Sequence, residues 1–215
     1  MRYRAILFDM DGVLIDSEAL MCKVGILALR DFGVSARAED FAPFVGRGED
    51  RYLGGVAEKY GVAYRPEMKQ RLYAYYAQLV GQEAEVPERV LEVLEALKKS
   101  GRRLAVCSSA DRVKVEANLH AIGAYEGLFD AVITGTDICR NKPDPEIYLT
   151  GAARLSAAPS ECLVVEDAPS GLMAAQAGGM DAVGITSSFP EAILCRDVQP
   201  KYVIDKFCKL ENIVL

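Results

Sequence analysis

Short, mostly apolar runs recur along this chain with helix-period stretches between them. Ala5-Ile6-Leu7-Phe8 is the first such run, and Leu104-Ala105-Val106-Cys107, Phe129 to Thr134, Cys162 to Val165, Ala182 to Ile185 and Tyr202-Val203-Ile204 follow. Runs of this length without polar alternation predict strands covered on both faces, as in a parallel sheet. Between them, Pro87 to Ser100 places Val90, Leu91, Leu94 and Leu97 at helical spacing, with Pro at its start and Gly101 past its end. Asp111 to Ile122, closed by Gly123, Pro145 to Leu155, and Gly171 to Ala177, ending at Gly178-Gly179, predict further helices. Strand and helix in regular alternation predict an α/β fold, a doubly wound parallel sheet with helices on both sides.

One stretch breaks that rhythm. Ser17 to Phe32, with Ser17 as N-cap and Gly33 as stop, is helical, and so are Glu49 to Tyr60 and Pro66 to Val80, with no strand between them. The expected organisation is a core made of residues 1–15 and 86–215, interrupted after its first strand by a helical module over 16–85.

Composition narrows the class of partner. The 215 residues are 51% hydrophobic and carry a formal net charge of -6. That is enough for a sizeable core. The basic residues are dispersed, which argues against a nucleic-acid surface. No apolar run approaches the ~20 residues of a membrane helix. Met1-Arg2-Tyr3-Arg4 leads directly into the first strand, so a cytoplasmic location is expected. Six scattered cysteines without a Cys-x-x-Cys pair predict reduced, mostly core thiols, and a single histidine, His120, leaves no ligand set for zinc. The acidic, mixed surface is compatible with monomer or dimer.

The chemistry is written at the strand ends. Asp9-Met10-Asp11-Gly12-Val13 follows the first strand directly, presenting two carboxylates two residues apart. Ser108-Ser109 follows the strand ending at Cys107, Lys142-Pro143 comes a short loop after the strand ending near Thr134, and Glu166-Asp167 follows Val165. In a parallel sheet these ends share one edge, where ligands of open α/β folds bind. Converging carboxylates repel one another unless a cation intervenes, and Mg²⁺ suits a set of hard oxygen donors. A cation, a lysine and a serine together would receive a phosphoryl group. One carboxylate is then free for nucleophilic attack, and a second can exchange protons with the leaving oxygen and water.

These four motifs resemble the signatures of the haloacid-dehalogenase-like superfamily of phosphohydrolases, across essentially the whole chain. The helical insertion after the first motif is similar to the superfamily's small α-helical cap class, as in phosphoglycolate phosphatases and β-phosphoglucomutases. The resemblance implies a Rossmann-like core under a cap. It implies Asp9 as nucleophile, Asp11 as general acid/base, Ser108 on a phosphoryl oxygen and Lys142 as charge balance. It also implies Mg²⁺ held by the Asp9 side chain, the Asp11 backbone carbonyl and Asp167, with Glu166 in support. Keeping an acid at Asp11 favours phosphate esters over halides, because a halide leaves without a proton.

The cap residues that would choose a substrate are less defined. Phe44-Val45-Gly46-Arg47-Gly48-Glu49 resembles the specificity loop of such caps, which makes Arg47, with Ser109, a candidate for substrate contact. Lys23, Lys59 and Lys69 are expected to be solvated helix residues, and Tyr73, Tyr75 and Tyr76 to serve packing and surface. The expected activity is a Mg²⁺-dependent phosphatase acting on a small phosphorylated metabolite. Its alternatives are a β-phosphoglucomutase and a catalytically idle binding module. The mutases draw their second phosphate site from a Ser-Lys-Asn run after the motif-two serine and from a cap-loop arginine. Ala110-Asp111-Arg112 stands at the first place here. Their cap histidine near the first motif is also missing, with Met21 at or beside its position.

Overall fold

The computed structural model describes residues 2–45 and 48–215. A six-stranded parallel sheet forms its centre, with β1 (Ala5–Phe8), β2 (Arg103–Cys107), β3 (Ala131–Ile133), β4 (Cys162–Glu166), β5 (Asp181–Ile185) and β6 (Tyr202–Ile204) in the spatial order 3-2-1-4-5-6. The order reverses between β1 and β4, and the crevice beyond such a reversal is where open α/β sheets bind ligands.

Side-chain parity divides the core as the apolar runs predict. Ile6, Phe8, Leu104, Val106, Leu163 and Val165 face one cluster, and Ala5, Leu7, Ala105, Cys107, Cys162 and Val164 face another. The helices α4 (Val90–Lys99) and α5 (Arg112–Ala121) contribute to the first cluster, and α6 (Glu146–Arg154) and α7 (Pro169–Ala177) to the second. Between β1 and α4 lie α1 (Glu18–Arg30), α2 (Glu49–Lys59) and α3 (Pro66–Glu83), with no strand among the described residues there. The two ends of this stretch meet: the Asp16 amide donates to the Glu85 carbonyl at 2.7 Å, and the Glu85 amide returns a bond at 2.9 Å. Two short helices, Glu191–Leu194 and Glu211–Val214, complete the chain.

Several local expectations shift. The helix expected from Pro87 begins at Val90, because Pro87 to Arg89 form a turn in which Arg89 takes φ 62°. The third strand shortens to Ala131–Ile133, since Asp130 turns its carboxylate back to the Leu104 amide. Ser17 precedes α1 but makes no capping bond; Asp16 accepts from the Glu18 amide instead. The cysteines divide: Cys107 and Cys162 are buried, Cys139 is exposed, and the other three are partly covered, all of them free thiols. No helix of the described residues is long and apolar enough to cross a membrane.

Candidate active site

Strand register assembles the site. Phe8 is paired with Val106 on one side and Val165 on the other, so Asp9 stands level with Cys107 and Glu166. Parallel neighbours in register point the same way, which turns Asp9 and Glu166 towards each other. Met10 is fully buried in the core. Gly12 follows with φ 77°, and the carbonyl of Met10 accepts the amides of Val13, Leu14 and Ile15 in a tight loop. Alternation around Met10 sets Asp9 and Asp11 on the pocket side.

Four of the expected residues meet directly. The Lys142 ammonium donates to Asp9 and, at 2.6 Å, to Glu166, and sits 4.9 Å from the centroid of the Tyr148 ring. Glu166 is 1% exposed. It accepts from Lys142 and the Tyr148 hydroxyl at one oxygen and from the Asp167 and Ala168 amides at the other. Its acceptor capacity is spent on protein donors. Asp9 and Asp167 are therefore the carboxylates with oxygens left for a ligand, and Glu166 holds Lys142 and the start of the next loop in place. Ser108 is buried, with its hydroxyl accepting from the Ala110 amide. Ser109 is exposed and lines the same cavity of about 610 Å³ as Asp9, Asp11, Ser108, Lys142, Glu166 and Asp167. Arg47 lies outside the described residues.

Two glycines make room for this packing. A Cβ on Gly12 would lie 2.0 Å from an Asp167 oxygen, and one on Gly171, in the first turn of α7, 1.7 Å from a Glu166 oxygen.

The electrostatics follow from crowding. Burial, reinforced by Glu166 and opposed by Lys142, pushes Asp9 up to about 7. Burial, then Glu166 and Asp9, push Asp167 up to about 8. Burial opposes the charge on Lys142, but Asp9 and Glu166 outweigh it and raise its pKa. One ammonium thus faces three carboxylates whose oxygens lie within 4.8 Å of one another. Oxygen-only donors with excess negative charge fit a hard divalent cation such as Mg²⁺.

Asp11 is placed apart from this trio. Ser17 donates to one of its oxygens and Lys114 to the other, the latter at 2.7 Å. Lys114 lies in the first turn of α5, its side chain only 8% exposed. Reading the sequence missed it, because a lysine on an amphipathic helix looks solvated. Tyr148 and Ser188, whose hydroxyl sits beside Asp167, were also without a signal in the sequence. Lys23 pairs with Glu83 as a surface residue should. Lys69 departs from the solvated expectation: it is largely covered and bridges Asp50 and Asp111 at 2.8 and 3.0 Å. Arg112 is engaged by Asp137 at 2.7 Å. Tyr73 and Tyr76 are buried, and the Tyr76 hydroxyl donates to Asn118.

A Rossmann-type sheet carrying this acidic edge defines a class of hydrolase cores. The family model for haloacid dehalogenase-like hydrolases matches residues 6–185, and the chain belongs to that family. It is 39% identical over 209 residues to the Arabidopsis thaliana protein SUPPRESSOR OF QUENCHING 1, chloroplastic, a match taking in 94% of this chain but only 19% of that protein. It is 32% identical over 197 residues to validoxylamine A 7'-phosphate phosphatase of Streptomyces hygroscopicus subsp. limoneus, covering 91% of this chain and 92% of the relative. A solved structure described as a predicted phosphoglycolate phosphatase from Haemophilus somnus 129PT superposes with a TM-score of 0.85 at 24% identity, over 100% of this chain and 99% of the other. That likeness bears on the fold.

Proposed function

We propose that this chain is a Mg²⁺-dependent phosphatase that hydrolyses a small phosphomonoester, a sugar phosphate or similar metabolite, through an aspartyl-phosphate on Asp9. What carries the reading is the surroundings of Asp9, a carboxylate at the end of β1 with Lys142, Glu166 and Asp167 converging on it and Ser108 in the same cavity. The relative that it spans nearly in full is a phosphatase by name, which supports the same activity.

Asp9, Asp167 and the Asp11 backbone would hold Mg²⁺, which when bound offsets charge on the carboxylates and the phosphoryl oxygens. Lys142 and the Ser108 hydroxyl receive those oxygens and present phosphorus to Asp9. A carboxylate oxygen of Asp9 attacks phosphorus. The bond to the leaving oxygen breaks with its electron pair on that oxygen, and Asp11 supplies the proton. Asp11 then accepts a proton from water, which attacks the aspartyl-phosphate, releases inorganic phosphate and restores Asp9. Residues 16–85 act as a cap over the core of 1–15 and 86–215, excluding bulk water during both steps.

Hydrolysis is favoured over the mutase reaction because the groups beside Ser108 are not available to a second phosphate. Asp111 is a carboxylate already matched by Lys69, and Arg112 is held by Asp137. The test is release of inorganic phosphate from p-nitrophenyl phosphate and a panel of sugar phosphates. Turnover should require Mg²⁺, vanish in EDTA and vanish in Asp9→Asn with the fold retained. Full activity in excess EDTA, or in Asp9→Asn, would sink the assignment.

A further inference from the structure

Lys114 is a buried ammonium in the cavity that none of these roles uses. Its side chain is 8% exposed, whereas that of Asp11, its partner, is 36% exposed. Burial opposes its charge, yet Asp11 and then Tyr76 outweigh that and raise it to about 12. Glu49, at the start of α2, is a third neighbour. Burying an ammonium for one half-exposed carboxylate is a poor way to stabilise a fold. Well-packed apolar groups at such positions are often neutral or better. Stability alone does not account for a lysine here.

Its setting is specific. Lys114 and Asn118 are one turn apart on α5 and share a face. Together they hold Tyr76 of α3, Lys114 lying 5.8 Å from the ring centroid and Asn118 accepting from the hydroxyl at 2.5 Å. The Asp11 carboxylate is thus gripped from two sides. Ser17, at the entrance to α1, holds Oδ1, and Lys114, on a helix of the sheet-covering core, holds Oδ2. The two grips come from different elements, the entrance to α1 and the start of α5, and α5 is itself packed against α3, so Lys114 ties Asp11 to the helix face on which the inserted segment rests.

We propose that Lys114 is a positioning residue for the proton-transfer group Asp11, keeping that carboxylate on the leaving-group side of the cavity. The inference rests on the phosphatase reading above. For the first step it predicts a loss confined to substrates whose leaving oxygen needs a proton, read in kcat/KM, which does not contain the aspartyl-phosphate hydrolysis that all substrates share. General acid–base catalysis contributes about 10²–10⁴-fold. Misplacing Asp11 should therefore lower kcat/KM on an alkyl phosphate by about 10–100-fold and act far less on that of p-nitrophenyl phosphate, whose leaving group hardly needs a proton.

The experiment measures kcat and KM on a sugar monophosphate and on p-nitrophenyl phosphate at saturating Mg²⁺. The variants are Lys114→Met, Lys114→Gln, Lys114→Arg, Asp11→Asn and the double variant Lys114→Met/Asp11→Asn. The alkyl-to-aryl ratio of kcat/KM should fall in Lys114→Met, fall less in Lys114→Gln and recover in Lys114→Arg. The double variant should be no slower on the alkyl substrate than Asp11→Asn, since one residue acts through the other. Equal losses of kcat/KM on both substrates, or losses that multiply in the double variant, would overturn the proposal and leave Lys114 as a docking contact. If Lys114→Met does not fold, Lys114→Gln decides by the same ratio. Absence of turnover in the unaltered protein would instead remove the phosphatase reading, and this inference with it.

Discussion

Removing divalent cations and raising the pH should weaken this fold, against the usual direction for an acidic protein. In the absence of metal, Asp9 and Asp167 are pushed up to about 7 and about 8, while both are ordinary carboxyls near 3.8 in the unfolded chain. Between pH 4 and pH 8 the folded state therefore binds protons that the unfolded state has released, and stability falls as pH rises. A carboxyl moved from 3.8 to about 7 corresponds to about 4 kcal/mol over the whole window. The Asp9 side chain is 13% exposed, so solvent screens little of this. Asp9 is one of the charges that raise Asp167, so the two titrations are linked and their contributions do not simply add. Glu49, raised by burial, acts in the same direction. Carboxyls whose partners outweigh burial and lower them, such as Asp137, Asp130 and Glu146, contribute stability that is lost only as the pH falls below about 4, so their contribution is constant across this range. Urea unfolding in EDTA at pH 5, 6, 7 and 8 should lose about 2–4 kcal/mol across the series. Excess Mg²⁺ should flatten the curve, binding more tightly as the carboxyls lose protons. Asp167→Asn should flatten it without metal. A metal-free stability that is level or rises from pH 5 to 8 would refute the crowding on which the site rests.

Two substitutions probe the packing beneath the site. Gly171→Ala places a methyl 1.7 Å from the Glu166 oxygen that receives Lys142 and Tyr148, so it should cost about 1–3 kcal/mol by urea unfolding and lower turnover. Gly81→Ala, in α3 with nothing within 4 Å of the new carbon, should instead stabilise by about 0.5–1 kcal/mol, a contrast that separates crowding from helix propensity. Tyr148→Phe removes one of the four donors to buried Glu166 and should cost about 1–3 kcal/mol by the same measurement; no loss would mean that Glu166 does not depend on it.

The parallel sheet and its reactive edge were legible in the sequence because both are written in short, continuous segments. An apolar run fixes a strand, and a polar pair after it fixes which edge carries chemistry, so Asp9, Ser108, Lys142 and Glu166-Asp167 could be brought together without coordinates. Groups supplied by helix interiors were not legible. Lys114 and Tyr148 sit on helices with polar and apolar neighbours, and only the packing of α5 against α3 and of α6 on the sheet shows that they point inward. Ser17 carried a signal that was read for the wrong role: a serine before a helix suits an N-cap, where its oxygen accepts an amide, but here it makes no capping bond and its hydroxyl donates to the Asp11 carboxylate. The resemblance put Glu166 in support of the metal site without saying what it would bond, and its bonds to Lys142, Tyr148 and two amides are visible only in the packing.

The placing of β1 between β2 and β4 bears on how the molecule is made. Arg4, just before β1, is bonded to Glu161, 157 residues further on, and Asp9 to Lys142, 133 residues on. On the ribosome the first strand must wait on the order of ten seconds for the partner that closes its second side. Until β4 emerges, Asp9, the proposed nucleophile, stands without Glu166 or Asp167, and that strand end lacks the carboxylates proposed to gather a cation. On the proposed reading, activity and the closing of the sheet arrive together, late in synthesis, and a chain cut short before β4 should be both unfinished and inert.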